Sequence, residues 1–278
     1  MQEENLIEDI VLRHSARGMN LLRSVMQGCY AKDAAESILS WQRGTVFLTT
    51  GFYVAGFAET DGPAGTVFLA LALEKLGFNP VIVTDEFCKG FFELKKIKTV
   101  YMPFDFGENW CKTLLKEYNP VGLISVERCG KNLNGNYENM RGKSISEFTA
   151  ETDILFELCL GKIPTVGVGD GGNEIGMGNV SDFIRQNLTL VPCRVKTDCL
   201  VIATVSNWGA YAIAAYLEEL SGVAALLPDF EEVKNYIEET VKIGSVDGVS
   251  GKKSVSVDGF GMDVEKEILD LLKEKISG

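Results

Sequence analysis

The sequence predicts an α/β protein: a mostly parallel sheet with helices on both faces. Two observations carry that expectation. Six short apolar, β-branched runs recur between residues 45 and 206, and most of the gaps between them hold a helical segment. The runs are apolar throughout, the pattern of strands covered on both faces.

Taken in order, residues 1–44 read as a helical N-terminal extension of two or three helices, with IEDIVLRHSARGMNLL (7–22) among them. The strands are TVFLTT (45–50), PVIVT (80–84), KTVYMP (98–103), VGLISVE (121–127), TVGVGD (165–170) and LVIATVS (200–206). Between them AGTVFLALALEKLG (64–77) ends in a C-cap glycine, and residues 108–118 and 149–160 have similar character. The last strand leads into NWGAYAIAAYLEEL (207–220). A small α+β tail (226–278) packs on this core: a helix near 229–242, a turn region GSVDGVSGKKS (244–254), a short strand VSV and a final helix from 263. One α/β domain is expected, with its sheet core at 45–225. KNLNGNYENMRGKS (131–144) is the longest polar stretch and reads as an ordered loop.

Composition narrows the function. With 27 basic and 39 acidic residues the net charge is −12, which argues against nucleic acid and anionic membrane as partners. Small zwitterions and metal cations fit better, and a homo-oligomer is compatible with the composition. No apolar run approaches the about 18 residues of a membrane span. The acidic N-terminus has neither secretory nor transit character, and the seven cysteines lack any C-x-x-C pair. A cytoplasmic protein with reduced thiols is expected. The one histidine, His14, lies in the helical N-terminal stretch, so acid–base chemistry falls to carboxylates and lysines.

In open α/β sheets, ligands bind beyond the carboxyl ends of the strands. Five of the six strands run into acids there: Glu59 and Asp61, Asp85 and Glu86, Asp105, Glu127, and Asp170 with Glu174. Clustered carboxylates repel one another unless a cation joins them, so Mg²⁺ or Mn²⁺ is expected, held by Asp170, Glu174, Asp61 and Glu127. GVGDGGNEIGMG (167–178) has the G-x-G-x-x-G spacing of a phosphate cradle, but it follows the fifth strand and carries two acids. It reads instead as a loop that brings backbone and carboxylates to a cation or small ligand. Gly171 and Gly172 are expected to take positive φ there, with Asn173 beside the ligand. No nicotinamide or flavin is expected. Arg128 offers a clamp for a substrate carboxylate or a partner for nearby acids, and Arg141 and Asn207 are further candidate ligand-binding residues.

ETDGPAG (59–65), VTDEF (83–87), SVERCGKNLNGNYENMRGKSIS (125–146), GVGDGGNEIGMGNV (167–180) and VSNWGAYAI (205–213) together resemble the cyclase-type domain of the D-glutamate cyclase family, and SVDGVSG and VDGF continue the likeness in the tail. The extra N-terminal domain and mitochondrial address of the animal enzymes are not expected here, and Val195-Lys196-Thr197 departs from the acids that often precede the aspartate at Asp198. The resemblance implies a carbon–oxygen lyase that cyclises D-glutamate to 5-oxo-D-proline with loss of water, at an acidic cavity that binds a divalent cation. On that chemistry Glu174 and Glu127 are the candidate proton acceptors and Arg128 the third catalytic candidate. Two alternatives stay open: a metal-dependent hydrolase of a phosphorylated small molecule, and a non-catalytic binder of an amino acid or nucleotide.

Overall fold

A computed structural model describes residues 6–15 and 17–277; the acidic residues 1–5 lie outside the described residues. Helices α1 (Ile7–Val11), α2 (Met19–Leu22) and α3 (Tyr30–Ser40) precede β1 (Thr45–Thr49). A tight hairpin, β2 (Tyr53–Val54) and β3 (Phe57–Ala58), leads into α4 (Pro63–Lys75), β4 (Asn79–Thr84) and β5 (Lys98–Tyr101). Then come α5 (Glu108–Tyr118), β6 (Gly122–Val126), α6 (Asp153–Cys159), β7 (Thr165–Gly169), α7 (Ser181–Asn187), β8 (Cys199–Ile202) and α8 (Ser206–Ser221). The tail holds α9 (Phe230–Ile243), a second hairpin of β9 (Ser256–Val257) and β10 (Phe260–Gly261), and α10 (Met262–Ser277).

The main sheet has six strands in the order β5-β4-β1-β6-β7-β8, and every neighbouring pair is parallel. This is the expected α/β architecture. The chain steps outward from β1 through β4 to β5, then restarts on the other side of β1 at β6. The order therefore reverses between β1 and β6, and a crevice opens beyond their carboxyl ends.

Side chains alternate across each strand, so β1 serves both faces. Phe47 meets α5, its ring 5.5 Å from that of Tyr118. Helices α3, α4 and α8 pack together over the other face, and α10 lies on α8. One hydrophobic cluster runs from Ile7 to Leu272 and includes residues of the N-terminal helices and the tail. Among the described residues, no helix is long and apolar enough to cross a membrane.

One local expectation needs correction. The stretch 7–22 reads as helical, yet α1 ends at Val11, α2 starts only at Met19, and the described residues between are not helical. Between them His14 takes φ 59° and Gly18 φ 88°. Tertiary contacts override the helical pattern: Thr204 N–H donates to Val11 C=O, and Leu188 packs where a side chain on Gly18 would stand. His14 is half exposed and pairs with Glu267 at 3.2 Å, on the surface.

Candidate active site

Each acid reaches the crevice by a specific local device. Asp61 follows the β2–β3 hairpin and caps α8: its Oδ2 accepts from Ser206 N–H at 2.9 Å, and its Oδ1 from Asn207 N–H at 2.8 Å. Glu127 ends β6 in the left-handed region at φ 46°, a strained place for a side-chain-bearing residue. Its Oε2 accepts from Ser206 Oγ–H at 2.5 Å. Asp170 and Glu174 sit on the glycine loop after β7, where Glu174 Oε2 accepts Gly172 N–H at 2.8 Å. Of the two glycines expected at positive φ, Gly172 has it (111°) and Gly171 does not. Gly171 is needed for space instead: a Cβ there would stand 2.6 Å from Met140 Sδ and 2.8 Å from Glu174 Oε1.

Two groups from outside the strand ends complete the cluster. Arg17, from the turn between α1 and α2, ion-pairs with both Asp170 and Asp258. Asp258 and Gly259 form the two-residue turn of the β9–β10 hairpin, with φ 53° and 82°, the conformation an Asp-Gly hairpin turn favours. Asp247 fixes that turn by accepting Gly259 N–H at 2.7 Å and Ser256 Oγ–H at 2.9 Å.

Carboxylate oxygens of Asp61, Asp170 and Asp258 lie within 4.8 Å of one another, and so do those of Glu127, Asp170 and Glu174. Burial, then mutual repulsion, pushes Glu59 and Glu127 well above the usual carboxylate range, and burial raises Asp170 likewise against the opposing charge of Arg17. Burial raises Glu174 too, against the N–H groups that hold its charged form. For Asp61, burial and the nearby Asp258 outweigh the α8 N–H groups, and its pKa rises to about 7. Burial alone would lower Arg17, but Asp170 and Asp258 outweigh it and keep the guanidinium charged. Asp170 Oδ1 is buried without a hydrogen-bond partner among the described residues. A hard, oxygen-seeking divalent cation suits such a donor set.

Part of the cluster lines the inner end of a cavity of about 570 Å³, and the remaining acids lie against that part. Arg17, Glu59, Glu127, Asn173 and Asp258 line its inner part, with loops 52–55, 139–148 and 248–251 above them. Asn173 Nδ2–H donates to Glu138 C=O at 2.9 Å, while its Oδ1 is buried and has no partner among the described residues.

The expected site residues divide by their contacts. Glu127, Asn173 and Arg141 line the cavity; Asp61 and Asp170 lie beside the lining Asp258, and Asp170 and Glu174 beside the lining Glu127. Gly171 and Gly172 shape the loop beneath. Arg128 does not face the cavity: it is 1% exposed, pairs with Asp85 at 2.6 Å, and donates to Gly51 C=O, Ala150 C=O and Thr152 Oγ1. Of its two expected roles the structure shows the one toward neighbouring acids. Asn207 is likewise committed to the fold, its Oδ1 accepting Gly62 and Gly65 N–H at 3.0 and 2.6 Å and so joining α4 to α8. Among the other strand-end acids, Glu86 and Asp105 are exposed. They follow β4 and β5, on the outer side of β1 from the switch point. Arg17, Asp258 and Glu59 were not among the site candidates. The signals for the first two were Gly18 interrupting a helical pattern and the Asp-Gly pair in VDGF.

The profile of the family described as D-glutamate cyclase-like, C-terminal, matches residues 7–273. The chain belongs to this family. Human "D-glutamate cyclase, mitochondrial" is 34% identical to it over 200 residues, 62% of this chain and 32% of the human protein. The chain thus spans about a third of the length of that relative. All family-resembling stretches but VTDEF supply or brace the acidic floor, and VTDEF supplies the Asp85 that holds Arg128.

Proposed function

We propose that this member of the D-glutamate cyclase-like family is a carbon–oxygen lyase that converts D-glutamate to 5-oxo-D-proline and water. The observation that carries the reading is the convergence of Asp61, Glu127, Asp170 and Glu174 at the β1/β6 switch point, beneath a cavity. A divalent cation, Mg²⁺ or Mn²⁺, held by these four acids would supply Lewis-acid polarisation of the carboxyl group under attack.

The protein's own groups do the rest. The substrate ammonium is drawn to the acidic floor, where Asn173 Oδ1 accepts one of its N–H bonds. Glu127 takes the proton that frees the amine. Ser206 Oγ–H fixes its orientation by donating to Oε2 at 2.5 Å. The amine nitrogen then bonds to the γ-carboxyl carbon, that carbon's bond to one oxygen breaks, and the oxygen departs with two protons as water. Holding amine and carboxyl in ring geometry removes much of the entropic barrier. Glu174, pinned by the Gly172 N–H, is the second carboxylate available to shuttle the proton. A reducing compartment such as the cytoplasm suits the seven free thiols.

The test is 5-oxoproline formation from D- and L-glutamate with Mn²⁺, Mg²⁺ or EDTA. D-Glutamate is turned over, EDTA abolishes turnover, and Glu174→Gln lowers kcat about 100-fold or more. A Glu174→Gln protein as active as the wild type would remove the acidic floor from the mechanism.

A further inference from the structure

The cavity changes character away from its floor. Glu59 and Glu127 at the inner end are 6% and 5% exposed, whereas Phe148 and Val249 farther out are 38% and 54% exposed. The Tyr53 and Phe148 rings stack with centroids 4.3 Å apart at 11°. Arg141 and Lys143 line the same outer part, and among the described residues neither has a carboxylate partner. Both are exposed, so their charges are open to an anion that enters the cavity. Their loop is built to hold position. Asn139 Oδ1 accepts Arg141 and Lys143 N–H at 3.0 and 3.1 Å, and Asn139 N–H donates to Lys143 C=O.

Arg17, at the inner end, is by contrast already committed to Asp170 and Asp258, and Arg128, outside the cavity lining, to Asp85. A carboxylate next to the reacting amine therefore finds acids around it and, among the described residues, no unpaired buried cation. Arg141 and Lys143 share the cavity lining with Tyr53 and Phe148. Free glutamate, with about ten heavy atoms, also leaves much of 570 Å³ unfilled, a volume in the middle of the range for drug-sized ligands.

We infer that the outer cavity is a second subsite for an extension joined through the α-carboxyl of the glutamate unit. The substrate class it selects is an α-glutamyl peptide of about dipeptide size, with an apolar side chain against Tyr53 and Phe148 and a terminal carboxylate at Arg141 and Lys143. The inference rests on the cyclase reading for its chemistry. The free amine attacks the γ-carboxyl carbon, one carbon–oxygen bond breaks, water leaves, and the peptide bond at the α-carboxyl stays intact. The product is a 5-oxoprolyl peptide, and no oxidant or co-reactant is required.

The experiment incubates the full chain and Mn²⁺ with D-glutamate, L-glutamate and glutamyl-phenylalanine of either glutamyl configuration, and follows loss of water by mass spectrometry. A glutamyl-phenylalanine is turned over with kcat/KM about tenfold or more above glutamate. Lys143→Glu and Phe148→Ser raise its KM far more than they raise that of glutamate. Equal turnover of the two substrate sizes, or equal damage to both by the variants, overturns the subsite. Calorimetry on the Glu174→Gln protein reads the subsite without turnover. Dipeptide binding tighter than glutamate and lost in Phe148→Ser supports it, and binding no tighter than glutamate refutes it. If nothing is cyclised but the calorimetric preference stands, the cyclase reading falls and the subsite survives.

Discussion

Glu127 holds a buried carboxylate in a strained backbone conformation among like charges, which costs stability and serves a site. Glu127→Gln relieves the repulsion from Glu174, Asp61 and Glu59. It therefore raises the melting temperature in EDTA while lowering kcat about 100-fold. A variant that melts lower than wild type contradicts the assignment of repulsion at this position. Arg17 does the reverse: it is the cation that the acids already have. Arg17→Met leaves Asp170 and Asp258 unneutralised, so the metal-free protein melts lower and Mn²⁺ raises its melting temperature by more than it does in wild type. Differential scanning fluorimetry with EDTA and with Mn²⁺ reads both effects, and an equal Mn²⁺ shift in the two proteins would exclude competition for the same oxygens. The acids were legible in the sequence because a parallel sheet delivers its strand ends to one edge. Arg17 was not, because its position depends on a helix broken by tertiary contacts. Nor was the commitment of Arg128, since no local pattern tells whether an arginine meets a carbonyl or a ligand.

At the scale of elements, the site depends on how closely α4 and α8 start. A Cβ on Gly65 would lie 2.8 Å from Asn207 Cα and 2.9 Å from Ala210 Cβ, so only glycine lets the two helices meet there. Gly65→Ala pushes them apart and costs about 1–3 kcal/mol, measured by urea denaturation. It also lowers kcat, because Asn207 and the Asp61 cap shift with α8; full activity at reduced stability would uncouple this contact from the site. The regular elements matched their periodicity well: residues 108–118 form α5 over the expected span. Residues 149–160 show where local pattern stops: α6 starts only at Asp153, because Ala150 C=O and Thr152 Oγ1 are turned to Arg128. The β2–β3 hairpin escaped notice because its strands are two residues long and its Ala55-Gly56 turn lacks the usual asparagine or aspartate.

For the whole molecule, the raised carboxyls set the response to pH. Burial raises Asp61 and Glu265 to about 7, the latter against the Trp208 N–H bond, and Glu59, Glu127, Asp170 and Glu174 are also raised. Unfolded, such groups release their protons near pH 4. Between that value and about 7 the native state binds more protons than the unfolded chain, so stability falls as pH rises. In EDTA the melting temperature falls from pH 5 to pH 8, and saturating Mn²⁺ flattens the decline; a metal-free protein that gains stability over this range would contradict the buried acids. Asp247, lowered by hydrogen bonds despite its partial burial, adds the opposite slope at acid pH. The Arg17–Asp258 pair has a different kind of consequence. Its partners stand 241 positions apart in the chain, whereas each sheet strand can pair soon after it emerges. Closing so long a loop comes late in folding. During synthesis the sheet can therefore form while the acidic floor is still unfinished, and the protein acquires its ligand site only when the last hairpin arrives.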